Sequence, residues 1–233
     1  VSTATPNLFD EWAEVYDTEP NPLLRLEQRT LPPIMPSAKG LDILDIGCGT
    51  GRWLKYLHLL APRSLTGTDA SHAMLERARA SLAPAVVLHL SDSTTLPVDD
   101  LSTDLILVSF VLSYLSNLEA FADECVRVLR PGGHILLSDM HPVTATRRNW
   151  IRCFYREGKR IELSARPHAI TEISTAFCSR GFKLLTLSEP SFAEPERFLF
   201  EEANKAEEFR GLQADPAIYL MKFVKTGMDF AEV

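Results

Sequence analysis

Cysteine is scarce and scattered. The 233-residue chain has four, at Cys48, Cys125, Cys153 and Cys178, and no two of them form a CxxC pattern. That spacing argues against a disulfide framework and against a bound metal such as zinc, and it fits a reducing cytoplasmic compartment. Long apolar runs are missing as well. The longest, residues 105–112, is broken by Ser109 and is too short to span a bilayer. The opening VSTATPNLFDEW lacks the basic and then apolar order of a signal peptide. Basic charge is in deficit: 24 Lys and Arg stand against 31 Asp and Glu, a net of −7. Nucleic acids and anionic membranes favour the opposite balance, so neither is expected as a partner.

What is present is the composition of a globular protein, 45% hydrophobic and 24% charged. A chain of this length buries a core without covalent staples, and 1–233 reads as one domain. Apolar runs alternate with amphipathic stretches, the pattern of a largely parallel sheet covered by helices. Strands are predicted at 41–46, 64–68, 85–90, 105–110, 134–138, 182–187 and 217–224. Helices are predicted at 7–18, 22–35, 51–60, 71–82, 118–129 and 171–180, with a further piece near 200–210. Ser71 reads as an N-cap, Pro131-Gly132-Gly133 as a helix stop, and Gly181 as the residue that closes its helix. The first two helices make an N-terminal cap over 7–36. Two connections, 141–168 and 188–215, far exceed the usual 2–6 residues and read as lid-like inserts.

The sharpest local signal is Leu44-Asp45-Ile46-Gly47-Cys48-Gly49-Thr50-Gly51, which follows the first strand and opens a helix. Glycines let a ligand approach the main chain, and the helix N-terminus offers free N–H groups to an anionic group. The spacing is GxGxG. The dinucleotide fingerprint GxGxxG wants glycine where Arg52 stands, and no GK[ST] follows for a P-loop, which speaks against a nicotinamide oxidoreductase. Asp69 ends the second strand, where a carboxylate can accept from both hydroxyls of a ribose. Asp92 follows the third strand, where an adenine edge could be read. Asp45 precedes the glycines and either orients the loop or faces a cationic part of the ligand.

These residues resemble the class I S-adenosylmethionine-dependent methyltransferases, small-molecule branch. LDIGCGTG resembles the first motif of that family and Thr68-Asp69-Ala70-Ser71 the second. Ser91-Asp92-Ser93 with Leu96-Pro97 resembles the third, although the family's usual glycine before the aspartate is Ser91 here. Asp104-Leu105-Ile106-Leu107-Val108-Ser109 resembles the fourth, and Arg127-Val128-Leu129-Arg130-Pro131-Gly132-Gly133 the segment that leads into strand five. The stretch Phe9-Asp10-Glu11-Trp12-Ala13-Glu14-Val15-Tyr16-Asp17 is similar to the family's N-terminal helix. The match runs in order from residue 9 to about 140. It implies a Rossmann-like α/β fold with a seven-stranded mixed sheet of order 3-2-1-4-5-7-6, strand seven antiparallel, and helices on both faces. It implies S-adenosylmethionine as cofactor and S-adenosylhomocysteine as product. Gly47, Cys48, Gly49 and Gly51 would hold the methionyl part, Asp69 the ribose, and Ala70 would pack near the adenine. Asp92 and Ser93 would meet the adenine, Ser109 would lie under the methionyl chain, and Tyr16 would close over the site.

Methyl transfer is an in-line displacement in which positioning supplies much of the rate. A base is needed only where the acceptor must lose a proton. The exit from the fourth motif, Ser109-Phe110-Val111-Leu112, lacks the Asn/Asp-Pro-Pro-aromatic signature of DNA amino-methylation and the carboxylates of metal-assisted catechol methylation. A small organic acceptor and no metal are expected. RNA methylation and a non-catalytic cofactor-binding module are the alternatives. His141, at the carboxyl end of strand five, is the candidate base, and His168 a further candidate in the acceptor site. Residues 147–160 hold Arg147, Arg148, Arg152, Arg156, Lys159 and Arg160 against Glu157 alone, while 189–208 hold seven Glu against Arg197 and Lys205. Both inserts should leave the carboxyl edge of the sheet, so they are expected to face each other. Trp150, Phe154, Phe192 and Phe198 are the expected lining of the acceptor pocket.

Overall fold

The structure, a computed structural model, describes residues 8–18 and 20–227. Seven strands form one sheet: β1 (Asp42–Ile46), β2 (Ser64–Asp69), β3 (Val87–Leu90), β4 (Thr103–Ser109), β5 (Leu129–Met140), β8 (Phe182–Ser188) and β9 (Ile218–Lys225). Between the last two and β5 lies a separate hairpin, β6 (Cys153–Arg156) and β7 (Lys159–Glu162). The sheet order is β3-β2-β1-β4-β5-β9-β8, and β9 runs antiparallel to both neighbours. Counting only the strands of this sheet, that is the expected 3-2-1-4-5-7-6.

Strand β4 shows why the sheet must be covered on both faces. Its side chains alternate with period two. Leu105 and Leu107 join one core cluster with Leu54 and Leu57, while Ile106 and Val108 join the other with Phe121 and Phe177. Helices α2 (Pro22–Thr30) and α3 (Arg52–His58) cover the first face. Helices α5 (Leu118–Val128) and α7 (Ile170–Cys178) cover the second. Helix α4 (His72–Ser81) is capped as expected, with Ser71 Oγ accepting from Met74 N at 3.1 Å. Gly181 takes φ +79°, the left-handed conformation that ends α7.

Several boundaries depart from expectation. The helix expected over 7–18 is α1 (Leu8–Ala13) followed by turns, and residue 7 lies outside the described residues. The helix expected over 22–35 gives way to a 3₁₀ turn at Pro32–Ile34, because two successive prolines cannot donate into the helix. Strand β5 starts at Leu129 and absorbs Pro131-Gly132-Gly133, at the cost of a shift in register against β4 between Thr103 and Leu105. The piece near 200–210 is two helices, α8 (Glu194–Glu202) and α9 (Ala206–Leu212).

One buried link ties the cap to the sheet. Glu27 of α2 is fully buried and accepts from Arg52 at the start of α3 and from Ser138 Oγ on β5. Its carboxylate also accepts from Trp53 Nε1 at 3.2 Å.

Candidate active site

Ligands of open α/β sheets bind beyond the carboxyl ends of the strands. A cleft of about 800 Å³ opens there. Its floor is the turn after β1. Gly47 (φ +69°) and Gly49 (φ +54°) both take left-handed conformations. A β-carbon at Gly47 would stand 2.2 Å from Val111 Cγ2, whereas one at Gly49 would meet nothing within 4 Å. The first glycine is needed for packing, and the second leaves the main chain open toward the cleft.

Asp69, at the end of β2, is held by this turn. Its carboxylate accepts from Gly49 N at 2.8 Å and from Ser71 N at 2.9 Å. Burial raises its pKa, against the lowering effect of these backbone donors. Asp92 is exposed and accepts from Thr94 N and Thr94 Oγ1, and the Thr94 hydroxyl bond lowers its pKa. Of the expected cofactor residues, Tyr16, Gly47, Gly49, Asp69, Ala70, Asp92, Ser93 and Ser109 all line this cleft.

Asp45, Cys48 and Gly51 stand behind it. Both oxygens of Asp45 are buried without a hydrogen-bond partner among the described residues, and burial pushes its carboxyl up to about 8. Cys48 is buried, its thiol pushed up by burial, and its Sγ would stand 2.9 Å from a β-carbon at Gly67. Cysteine fits there because it is small. Gly51 (φ +84°) caps α3 against Leu82.

A second, larger cleft of about 1610 Å³ continues from the first, sharing Trp12, Tyr16, Phe110 and Arg152 with it. The insert 141–168 supplies Asn149, Trp150, Ile151, Arg152, Cys153, Tyr155 and Arg160 to its walls. The insert 188–215 supplies Phe192, Leu199, Phe200, Ala203, Lys205, Glu208 and Leu212. Trp150 and Phe192 therefore lie where the sequence places them. Phe154 does not line the cleft. It is 1% exposed and stacks on Trp12, with ring centroids 6.0 Å apart, because alternation along β6 turns it inward while Cys153 and Tyr155 face the cleft. Phe198 is 46% exposed and lies outside the lining, since Leu199 and Phe200 form the inward stripe of α8.

Both histidines are engaged elsewhere. His141 Nδ1 caps α6 (Pro142–Arg147) by accepting from Thr144 N at 3.5 Å, and Nε2 lies 2.8 Å from Glu189. It lines neither cleft. His168 sits in a separate hollow with Glu119 and Glu172, its Nε2 3.4 Å from the Leu115 carbonyl. The inserts also meet differently from the charge-pairing expectation. Arg147 and Arg148 pair with Asp215, beyond the acidic run. Arg156 pairs with Glu11 and Glu14 of the cap, and Glu196 with Arg29 of α2. The two inserts do meet, through Arg147 and Arg148 on Asp215, Arg148 on the Gly211 carbonyl and His141 on Glu189. Among the described residues, however, the basic run 147–160 makes no ion pair with the acidic run 189–208, and each insert is also tied to the N-terminal cap.

Phe9, Trp12, Met74, Tyr114 and Arg152 are lining residues that sequence reasoning did not assign. Phe9 and Trp12 lie inside the motif that marked Tyr16, so their helical spacing is a usable signal. Arg152 was only one charge in a basic run. Its distinction is the buried Asp139 that holds it at 2.6 Å, a partner 13 residues away that spacing does not reveal.

Residues 44–137 match the family described as "Methyltransferase domain". Over 222 residues the chain is 28% identical to an uncharacterized methyltransferase of Emericella nidulans, covering 79% of this chain and 77% of that one. It is 33% identical over 132 residues to a malonyl-[acyl-carrier protein] O-methyltransferase of Pectobacterium atrosepticum, covering 57% of this chain and 48% of the relative, about half of its length. Among solved structures, an S-adenosylmethionine-dependent methyltransferase from Mesorhizobium loti superposes with a TM-score of 0.68 at 23% identity, over 85% of this chain and 97% of that one.

Proposed function

We propose that the chain is a class I S-adenosylmethionine-dependent methyltransferase, a reading supported by the match of residues 44–137 to a methyltransferase domain and by its methyltransferase relatives, and that it methylates a small organic acceptor bound in the second cleft. S-adenosylmethionine is the cofactor of this family, and the first cleft fits it. The open main chain at Gly49, the carboxylates of Asp69 and Asp92, and the aromatic faces of Phe9, Trp12 and Tyr16 are the surfaces that a nucleoside joined to a cationic sulfur requires. When bound, the cofactor supplies an electrophilic methyl carbon. Asp69 would hold the ribose, Asp92 and Ser93 the adenine, and Gly47, Gly49 and Ser109 the methionyl chain. Trp12 and Tyr16 would shield the reacting end from water.

The observation that carries the acceptor reading is the continuity of the two clefts through Trp12, Tyr16, Phe110 and Arg152. A second cleft in which the apolar faces of Trp150, Phe192 and Phe200 stand among polar groups such as Asn149, Arg160 and Glu208 has the mixed lining of a small-molecule site. The net charge of −7 supports a small acceptor over a nucleic acid. Free cysteines at 48, 125, 153 and 178 support a cytoplasmic, reducing location. No helix among the described residues is long and apolar enough to cross a membrane. Calorimetry with S-adenosylmethionine, S-adenosylhomocysteine and NADH tests the cofactor. Binding of the first two and silence with the third is expected, and the reverse would remove the methyl-transfer reading.

A further inference from the structure

Arg152 is the charged residue that the two clefts share. Its side chain is only 12% exposed. One terminal nitrogen donates to Asp139 Oδ1 at 2.6 Å, and the other to the Phe110 carbonyl at 3.3 Å. The guanidinium lies 4.8 Å from the Phe110 ring centre and 5.4 Å from that of Tyr114. Asp139 is itself fixed, accepting from Ser113 N at 2.9 Å and from Ser113 Oγ at 2.7 Å. Arg152 therefore cannot swing away, and its charge is already offset by Asp139.

Two polar groups are left with only each other. Arg152 Nε and Tyr114 Oη are both buried, and neither bonds to a third group among the described residues. Guanidinium and hydroxyl interact with one another, which lowers the Tyr114 pKa against the larger raising effect of burial. Both residues line the first cleft, close enough for guanidinium and ring to interact. A buried donor without a partner costs about 1–3 kcal/mol. With Tyr114 Oη facing the guanidinium, the hydroxyl proton is left without an acceptor at the wall of the cleft, and a ligand oxygen there would complete the pair.

The surroundings say which oxygen. Among the described residues that the two clefts share, Trp12, Tyr16, Phe110 and Arg152, none is a carboxylate or an imidazole; Asp139 beside them is saturated and His141 is turned to Glu189. An acceptor that needs a strong base to lose its proton has none to use. A phenol ionises unaided near pH 10, and donors around its oxygen lower that value. The walls fit the same class, because Trp12, Trp150, Phe192 and Phe200 offer aromatic faces to a planar ring.

We propose that Arg152 and Tyr114 form a donor pair that holds the hydroxyl oxygen of a phenol or enol acceptor, as its oxyanion, where the two clefts meet. The proposal rests on the reading of the second cleft as the acceptor site. Burial pushes the Tyr114 hydroxyl up to about 12, so it stays a donor through the neutral range.

The test uses 4-nitrophenol, whose ionised form is coloured, titrated against pH with the full chain, with and without S-adenosylhomocysteine. The bound probe is expected to ionise about one pH unit or more below the free probe, a tenfold stabilisation of the oxyanion. Tyr114→Phe removes one donor and leaves the ring, so it should return part of that shift. Arg152→Gln combined with Asp139→Asn avoids a stranded buried carboxylate and should return most of it. Binding of S-adenosylhomocysteine, followed by calorimetry, should be unchanged in both variants. A probe that fails to bind, or that ionises at its free value, overturns the proposal. So does a loss of S-adenosylhomocysteine affinity in both variants with the probe unaffected, which would assign the pair to the cofactor's carboxylate. A normal probe shift in a chain that binds no S-adenosylhomocysteine would keep the donor pair and remove the cofactor reading.

Discussion

The two clefts are built by different means. The first has a base of main chain and short side chains at the ends of parallel strands, Gly47 and Gly49 after β1, Asp69 and Ala70 after β2, Asp92 and Ser93 after β3, Ser109 at the end of β4, to which Phe9, Trp12, Tyr16, Tyr114 and Arg152 add larger walls. The second is made of long side chains brought from residues 20–24, 140–160 and 192–212. A site of the first kind depends on backbone angles that few residues tolerate. One of the second kind depends on packing that many sequences can supply. The family match over 44–137 covers most of the first cleft and almost none of the second. On the proposed reading of the two clefts, cofactor recognition and acceptor choice are separated along the chain.

That contrast can be broken or sharpened by substitution. The largest effect is expected behind the second cleft. Phe154→Ala should cost about 3–5 kcal/mol of stability in denaturant titrations, the range for buried aromatic truncation, since the ring is buried against Trp12. Trp150→Ala, in the cleft wall itself, should leave stability and S-adenosylhomocysteine affinity nearly intact and raise the acceptor KM. Equal damage from both would mean that the wall and its backing are one unit.

In the first cleft, Gly47→Ala must overlap Val111 at 2.2 Å in a left-handed conformation. It should cost about 2–4 kcal/mol of stability, from strain and overpacking together, and abolish cofactor binding. Gly49→Ala has the same backbone problem without the clash, so it should be the milder of the two by chemical denaturation. Asp69→Ala should weaken cofactor binding by about 1.5–3 kcal/mol, the range for charged hydrogen bonds, while the fold persists. Calorimetry that shows unchanged affinity would move the ribose elsewhere.

Asp45 gives a smaller, pH-dependent effect. Its folded pKa of about 8 lies above the usual carboxylate value near 4, so between those values the native state binds the extra proton. Its contribution to stability is fully present below about pH 4 and is lost as pH rises through 8, with a slope of up to about 1.4 kcal/mol per pH unit. Asp45→Asn should flatten that slope in denaturant midpoints taken from pH 5 to 8. A slope that survives the substitution would belong to another group. The smallest effect is expected at the rim, where Arg147→Ala should change stability by about 0–1 kcal/mol. Its side chain is 58% exposed, and Arg148 also holds Asp215.

The same division decides what could be read from residues alone. The Ser71 cap was legible because a cap is local. The sheet order and eight residues of the first cleft came through the family resemblance, which was itself legible because each motif that carries it is local: a strand end, a turn and the next helix within a few positions. In the second cleft, two wall residues were found and two were not. Phe154 and Tyr155 are neighbours on a strand, and which one faces inward is decided by the register of a hairpin. That hairpin did leave a signal. Glu157 and Gly158, both at positive φ, make the two-residue turn that hairpins favour. The histidines misled for a related reason. A histidine at the end of a strand can be a base or a helix cap, and only the three-dimensional positions of Thr144 and Glu189 distinguish them.

The buried link at Glu27 bears on recombination between relatives. Any exchange that takes the N-terminal cap from one chain and the sheet from another cuts a contact among Glu27, Arg52, Trp53 and Ser138. A chimera with its crossover at residue 40 would inherit Arg52 without the carboxylate evolved to meet it. The Arg52 side chain keeps 24% of its exposure and a bond to Ser109, so its loss of Glu27 should cost less than about 3–5 kcal/mol, the range for a fully buried pair, while a Glu27 set against a foreign sheet, being fully buried, should approach that range. Grafts that carry positions 27, 52 and 138 as one set should express as folded protein, and those that split the set should not.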